Sequence, residues 1–383
     1  MSENIKYKIL TFIRYLGDSF FYPFFAVYLE SRGLIKNEIG FILSISPLVG
    51  ILINPIYSMI CKNFNSTKRT LTIITIFEAI FILLITLSSN FILISILTVL
   101  IAIFGSTHYG LFDSLLSIHT KRSNVNYSSI RIFGSMAYII GTTLGGTIID
   151  KTNFLVCFSI CAFLFVLSGV FYALICRYNE EKEKEEIAYD KISILYNKKL
   201  WFFIFVHVLI MFPLVCGDHF FSLYLESRGL NTTTYGLIYS YYVVVEVVLL
   251  YFLNKYSKKI NNNILLIIAG FGVTLRLLVN GMYLPIGVVG ILSCLRGISY
   301  ACLLHVSFKK VVDIIGSRSG TFGIMLMTLV QSIFVMLFDN INGTIISNTN
   351  SYQHFYLLMS LISFIGLIIT IIYYFKDKKE VKD

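Results

Sequence analysis

The sequence predicts an all-α integral membrane protein whose twelve transmembrane helices form two parallel six-helix halves. Three observations predict it. The chain is 56% hydrophobic and only 14% charged, with a mean hydropathy of +0.78. A soluble chain of this length could not cover so much apolar surface. Apolar stretches of roughly 20 residues, the length that crosses a bilayer core of about 30 Å, recur from end to end. Finally, the phrase YLESRGL stands at 28–34 and again, letter for letter, at 224–230, half a chain apart.

The spans follow in order. The first, 8–30, begins directly after MSENIKYK; with no short apolar core and small-residue cleavage site there, no removed signal peptide is expected. Next come 38–61, closed by the polar KNFNSTKR, and 69–89, closed by SSN. The fourth and fifth, 91–118 and 128–149, flank HTKRSNVNYS. The sixth, 154–176, runs into RYNEEKEKEEIAYDKISILYNKK at 177–199, a solvated linker. The second set is 201–225, 234–253, 264–284, 286–304, 319–347 and 353–375. Only YLP around Leu284 divides the ninth from the tenth. The domains expected are therefore 1–176, the linker 177–199 and 200–383.

Lysine and arginine in short loops set orientation. The N-terminal side carries Lys6, Lys8, Lys62, Lys68 and Arg69, then Lys121 and Arg122. It continues with Lys255, Lys258, Lys259, Lys309, Lys310 and Arg318, and the tail adds Lys376, Lys378, Lys379 and Lys382. The opposite side has Arg32, Lys36, Lys151 and Arg228. Both termini are thus expected in the cytoplasm, with the protein in the cytoplasmic membrane. The net charge of +10 reads as topology and attraction to anionic lipid, not nucleic acid. The cysteines lack disulfide or metal-ligand spacing, and no metal or cofactor is expected.

The repeated phrase marks a duplication. PFFAVYLESRGLIKNEIG aligns with HFFSLYLESRGLNTTTYG, matching Phe24 with Phe220, Phe25 with Phe221 and Gly40 with Gly236. Gly33 and Gly229 suit the left-handed position that stops a helix, and the following leucine suits the hydrophobic contact of that cap. The phrase is expected to be architectural. Two parallel six-helix halves are the construction of the major facilitator transporters, whose substrate site lies between repeats near the midplane.

Ionisable groups inside spans are costly and are functional candidates by default. They are Asp18, Glu78, Asp113, Asp218, Glu246 and Asp339, with Arg14, Arg131, Arg276 and Arg296. The acids outnumber the bases, leaving acids to bind ligand or carry protons. For Arg14 and Glu78 a helix–helix ion pair is expected. Asp113 and Arg131 lie equally far from Arg122 at the centre of their loop, about nine residues or 13 Å at a rise of about 1.5 Å per residue. Two antiparallel helices would bring acid and arginine to one level, where a planar fork and a carboxylate can clamp a hydroxyl-rich ligand. Tyr138, two turns beyond Arg131, offers a ring for stacking. A bare salt bridge between Asp113 and Arg131 is the alternative. His219, beside Asp218, is a further ligand candidate. His108, His119, His207, His305 and His354 read as structural.

TKRSNVNYSSIRIFGSMAYIIGTTLGG resembles the fourth-to-fifth helix hairpin of the lactose permease family of oligosaccharide:proton symporters. That hairpin carries an acid, an arginine in R-x-F-G and an aromatic that stacks on the sugar. The resemblance places these roles on Asp113, Arg131 and Tyr138. FFYPFFAVYL resembles the family's first helix and puts Asp18 at a sugar-facing position. LWFFIFVHVLIMFPLVCGDHF resembles the seventh and puts Asp218 on its charged Asp; GFGVTLRLL puts Arg276 on the ninth-helix Arg. The departures lie in the coupling machinery. Ser293, Arg296 and Ser299 stand where the family has Lys, His and Glu; Glu246 is displaced by one turn from the eighth-helix Glu; Asp339 has no counterpart. In PIYSMICKNFNSTKR, Ser58 and Lys62 replace the Gly and Asp of a superfamily phrase.

The function expected is a secondary transporter moving a small polar solute, a sugar, by alternating access with protons. Asp18, Asp113, Arg131, Tyr138 and His219 would bind substrate. Asp218, Glu246, Arg276, Arg296 and Asp339 would serve coupling. A monomer in the lipid bilayer is expected. The alternatives are an uncoupled facilitator or exchanger, a nucleoside or aromatic-acid transporter, and, from another class, a non-transporting membrane sensor. With no Gly-rich nucleotide loop, no Ser/His/Asp arrangement and no HExxH, neither ATP drive nor an enzyme is expected.

Overall fold

The structure, a computed structural model, describes residues 2–175, 194–256, 261–316 and 319–380. Most of the predicted linker, Cys176 and the loop charges Lys258, Lys259, Arg318 and Lys382 lie outside the described residues. Each of the twelve predicted spans is mainly helical over its described residues. In the first half the helices are α1 (Glu3–Phe21), α2 (Phe25–Ser31), α3 (Lys36–Ile60), α4 (Phe64–Ile85), α5 (Phe91–Gly105), α6 (His108–Ser123), α7 (Tyr127–Lys151) and α8 (Phe154–Leu174). The second half has α9 (Lys198–His219), α10 (Phe221–Ser227), α11 (Thr232–Tyr256), α12 (Asn262–Gly281), α13 (Ile286–Leu292), α14 (Cys294–Ile315), α15 (Gly320–Thr349) and α16 (Tyr352–Glu380).

Ten helical stretches among the described residues are long and apolar enough to cross a membrane. The remaining two predicted spans are α1–α2 and α4, which carry more charge: Lys6, Lys8, Arg14 and Asp18 in one, Lys68, Arg69 and Glu78 in the other. The tenth span runs on as helix to Ile315, well past its predicted end at 304, because its polar face from Ser307 to Asp313 stays helical.

Sequence chemistry sets the ends. Asparagine caps the N-termini of α4, α5, α7, α8, α9 and α12, each accepting a backbone N–H of the first turn. Lys6 and Lys68 donate to the last carbonyls of the sixth span, Leu174 and Ile175, where a cation also meets the negative helix end. The first helix of each half breaks at the matched place: a 3-10 turn at Tyr22–Phe24 and a turn at Phe220. Both copies of YLESRGL then close in the same two-bond cap. Gly33 N–H donates to Glu30 and Leu34 to Leu29; Gly229 donates to Glu226 and Leu230 to Leu225. Gly33 and Gly229 have φ of 85° and 80°, a region that costs an L-residue about 1–2 kcal/mol. Gly33→Ala and Gly229→Ala should therefore each destabilise the purified protein by about that amount without altering ligand affinity; unchanged melting of both would make the repeated phrase something other than a cap.

The chain forms two compact units, residues 1–185 with 222–240, and residues 186–221 with 241–383. In the first, α1 packs against α7 and α8, and α4 against α8 and α5. The second repeats this internally: α9 packs against α15 and α16, and α12 against α16 and α14. The duplication read from one phrase is thus visible in the packing. Within the first unit, residues 232–240 approach α7 so closely that a Cβ on Gly146 would strike the Thr232 carbonyl and one on Gly236 the Thr142 carbonyl. Ser240 Oγ bonds the Ile139 carbonyl at 2.7 Å, and Thr142 and Thr143 at 2.7 Å each. Asp150 accepts from the N–H groups of Thr232 and Thr233.

Candidate functional site

The first unit gathers its charges around α1. Arg14, Asp18 and Glu78 are all fully buried. The Arg14 guanidinium forks onto Glu78 at 2.8 and 3.1 Å and reaches Asp18 at 3.1 Å. It lies on the Phe165 ring, 3.7 Å from guanidinium carbon to centroid. Tyr22 donates to Glu78 at 2.9 Å. Gly105 leaves the space for this cluster, since a Cβ there would meet Glu78 and Tyr22. The Arg14–Glu78 pair expected from the sequence is present. Asp18 joins it rather than standing open, and reaches outward only through Tyr109, whose hydroxyl is 2.9 Å from its carboxylate.

Beyond Tyr109 the site becomes half-buried and aromatic. Its hydroxyl is 3.4 Å from that of Tyr138. Tyr15 packs against Tyr109 and Tyr138, with centroids 5.3 and 6.1 Å apart. Tyr138 stacks on Tyr239 at 6.3 Å and 20°. Arg131 lays its guanidinium over Tyr15 at 4.3 Å. Here the glycine of R-x-F-G has a cause: a Cβ on Gly134 would collide with Arg131 and the Tyr15 ring. Asp113 and Arg131 share this region, but Asp113 accepts from Tyr127 at 2.8 Å. Among the described residues no salt bridge joins Arg131 to any acid. Its guanidinium thus rests on an aromatic ring and, among the described residues, is not consumed by a carboxylate.

The second unit holds a separate charged set. Asp218 bonds Arg276 at 2.6 Å and the Nε of Arg296 at 2.9 Å; Arg296 bonds Glu246 at 2.6 Å. Two acids and two arginines alternate in one chain. Arg296 lies between the rings of Tyr242 and Tyr300, at 4.8 and 4.5 Å, and Arg276 lies over Phe221 at 4.8 Å. A planar cation between π faces is held in place as well as charge-paired. Glu246, expected one turn away from the lactose permease family's eighth-helix Glu, reaches Arg296. His219 Nδ1 is 2.7 Å from Asp339, whose side chain is fully buried. The structural histidines bond as structural residues do: His108 to Tyr172, His119 to Asn4 and His207 to Ser307, each at 2.7 Å.

Sequence reasoning passes over Tyr15, Tyr109, Tyr127 and Tyr239. A signal existed for three of them: Tyr15 precedes Asp18 by three residues, and Tyr109 and Tyr127 precede Asp113 and Arg131 by four, the spacing of one helical face.

Residues 4–358 match the MFS_1 like family. The chain is similar to the transporter YwbF of Bacillus subtilis (24% identical, over 64% of this chain) and the maltose permease of Geobacillus stearothermophilus (21%, over 62%). It spans 62% and 61% of the lengths of these two relatives. It is also similar to the sucrose permease of Escherichia coli, 21% identical over 99% of this chain and 96% of that one. Among solved structures, a mutant form of the nucleoside transporter NupG superposes with a TM-score of 0.86 at 14% identity, over 97% of this chain and 99% of that one. A bacterial homologue of the lysosomal transporter Spinster gives 0.70 at 11% identity, over 97% and 95%. At such identities the likeness shows the fold, which is that of the major facilitator transporters.

Proposed function

Since this chain belongs to the MFS_1 like family, we propose that it is a secondary transporter for a small, hydroxyl-rich solute of the sugar class, working by alternating access and driven by protons. The observation that carries the substrate reading is Arg131: a half-buried guanidinium, over the Tyr15 ring and without a salt bridge among the described residues. Such a fork can donate paired hydrogen bonds to adjacent hydroxyls, with Asp113 as acceptor and Tyr138 as stacking face. The permease names of two relatives support a sugar. Asp18 stands one hydrogen bond behind this site, and His219 is occupied by Asp339. Asp218, Glu246, Arg276 and Arg296 form a set with no net charge that would keep the second half's balance while it moves. The working unit is a monomer of two six-helix halves, 1–176 and 200–383 joined by 177–199, in the cytoplasmic membrane with both termini inside.

A second reading, a nucleoside, is favoured by the near-parallel rings of Tyr138 and Tyr239, which suit a planar base, and by the likeness to NupG. Thermal shift of the detergent-purified protein with maltose, sucrose and uridine tests both, because a bound ligand stabilises by mass action. Arg131→Lys should weaken binding of the responding ligand at least about tenfold, as each charged hydrogen bond is worth about 1.5–3 kcal/mol. Tyr138→Phe should keep most of the affinity and Tyr138→Ala should lose it. Parental affinity in both Arg131→Lys and Tyr138→Ala would remove the ligand from this place.

A further inference from the structure

The buried cluster on α1 does not balance. Asp18 and Glu78 are two carboxyls with no exposure, and Arg14 is the one cation that either of them touches among the described ion pairs. An isolated carboxylate taken out of water is so unfavourable that such a group takes up a proton instead. The second unit shows the contrast, since its network has one arginine for each acid. The first unit thus holds one carboxyl more than the cations those carboxyls touch among the described residues.

Geometry says which one. Glu78 receives both arms of the Arg14 fork and the Tyr22 hydroxyl, three donors in all. Asp18 has one hydrogen bond, to Tyr109; its other oxygen lies 3.1 Å from Arg14 Nη2 but makes no hydrogen bond. The remaining groups near Asp18 make no ion pair with it among the described residues. From α7 come Tyr138 and Arg131, whose guanidinium lies over Tyr15 and is joined to neither Asp18 nor Glu78. Cys161 and Tyr172 face it from α8, and Tyr15 from its own helix.

We infer that Asp18 is a proton-binding site and that Tyr109 relays its protonation state to Tyr138. The hydroxyl of Tyr109 lies between the two, 2.9 Å from Asp18 and 3.4 Å from Tyr138. A hydroxyl gives one hydrogen bond and accepts others. With Asp18 ionised, the Tyr109 proton is given to the carboxylate. With Asp18 protonated, the carboxyl donates to Tyr109, and the Tyr109 proton is free to turn towards Tyr138 and whatever lies on it. The polarity at the ligand side thus reverses with one proton, with no change in packing. A ligand that accepts from this tyrosine pair binds the protonated state better, and that difference is what links the two equilibria.

This inference rests on the proton-driven reading, but its test needs no solute. The full chain in lipid membranes is examined by infrared spectroscopy at pH 7, where exposed carboxyls are ionised. The wild type should show a protonated carboxyl band that is absent in Asp18→Asn, a substitution that barely changes volume. Tyr109→Phe should shift the band, since that hydroxyl bonds Asp18, and Tyr22→Phe should leave it in place. A band of unchanged intensity in Asp18→Asn overturns the inference. So does a band moved by Tyr22→Phe and not by Tyr109→Phe, which would put the proton on Glu78. If Asp18→Asn fails to fold, the two tyrosine variants decide alone. An absence of transport would leave the band untouched, so the two readings fail separately.

Discussion

Replacing Arg14 by Met should destabilise the protein by about 3–5 kcal/mol, the usual cost of removing one member of a buried ion pair. The guanidinium forks onto Glu78, touches Asp18 and covers the Phe165 face, all out of contact with solvent. Methionine fills part of the space but strands Glu78. The cost should arise from the stranded charge and not from lost volume. Adding Asp18→Asn and Glu78→Gln to Arg14→Met should therefore recover much of the loss, since replacing a whole buried charged set is often close to neutral. Denaturation in detergent measures both steps. A loss below about 1 kcal/mol for Arg14→Met, or no recovery in the triple variant, would contradict a charge-held cluster.

Arg296→Lys should have the largest effect on transport of any charge-conserving change in the second unit. Arg296 uses Nε for Asp218 and Nη1 for Glu246 while lying between Tyr242 and Tyr300. An ammonium is a compact point charge without a fork. It would release one carboxylate from that bond, and each charged hydrogen bond is worth about 1.5–3 kcal/mol. Uptake and exchange should both fall at least about tenfold, because the imbalance sits in every state of the cycle. Transport at the parental rate in Arg296→Lys would reduce the network to passive packing.

The parts legible in the sequence share a physical character: they are local. Span positions follow from apolar runs, and the helix stops at Gly33 and Gly229 follow from cap chemistry within a few residues. Even the duplication could be read because it repeats such a cap. Which side chains meet across helices is not local. Asp18 reads as sugar-facing from its place beside FFYPFF, yet helix rotation turns it onto Arg14 and Glu78 and leaves Tyr109 in front. Asp113 and Arg131 are expected at one level, but level is not contact: Asp113 bonds Tyr127, and Arg131 lies over Tyr15. Tyrosines on such faces resemble core aromatics in sequence, and only the hydroxyl partners distinguish them. Asp339 shows the same limit, since nothing near it in the chain points to His219.

Transport of a polar solute powered by protons is tested most directly by uptake into proteoliposomes. Purified chain is reconstituted and offered labelled maltose, sucrose or uridine, with an imposed inward proton gradient and with that gradient collapsed by an ionophore. One of these solutes should accumulate above its outside concentration only while the gradient lasts, and Arg131→Lys should abolish the accumulation. Equilibration to the outside concentration regardless of the gradient, or no entry of any of the three, would contradict it.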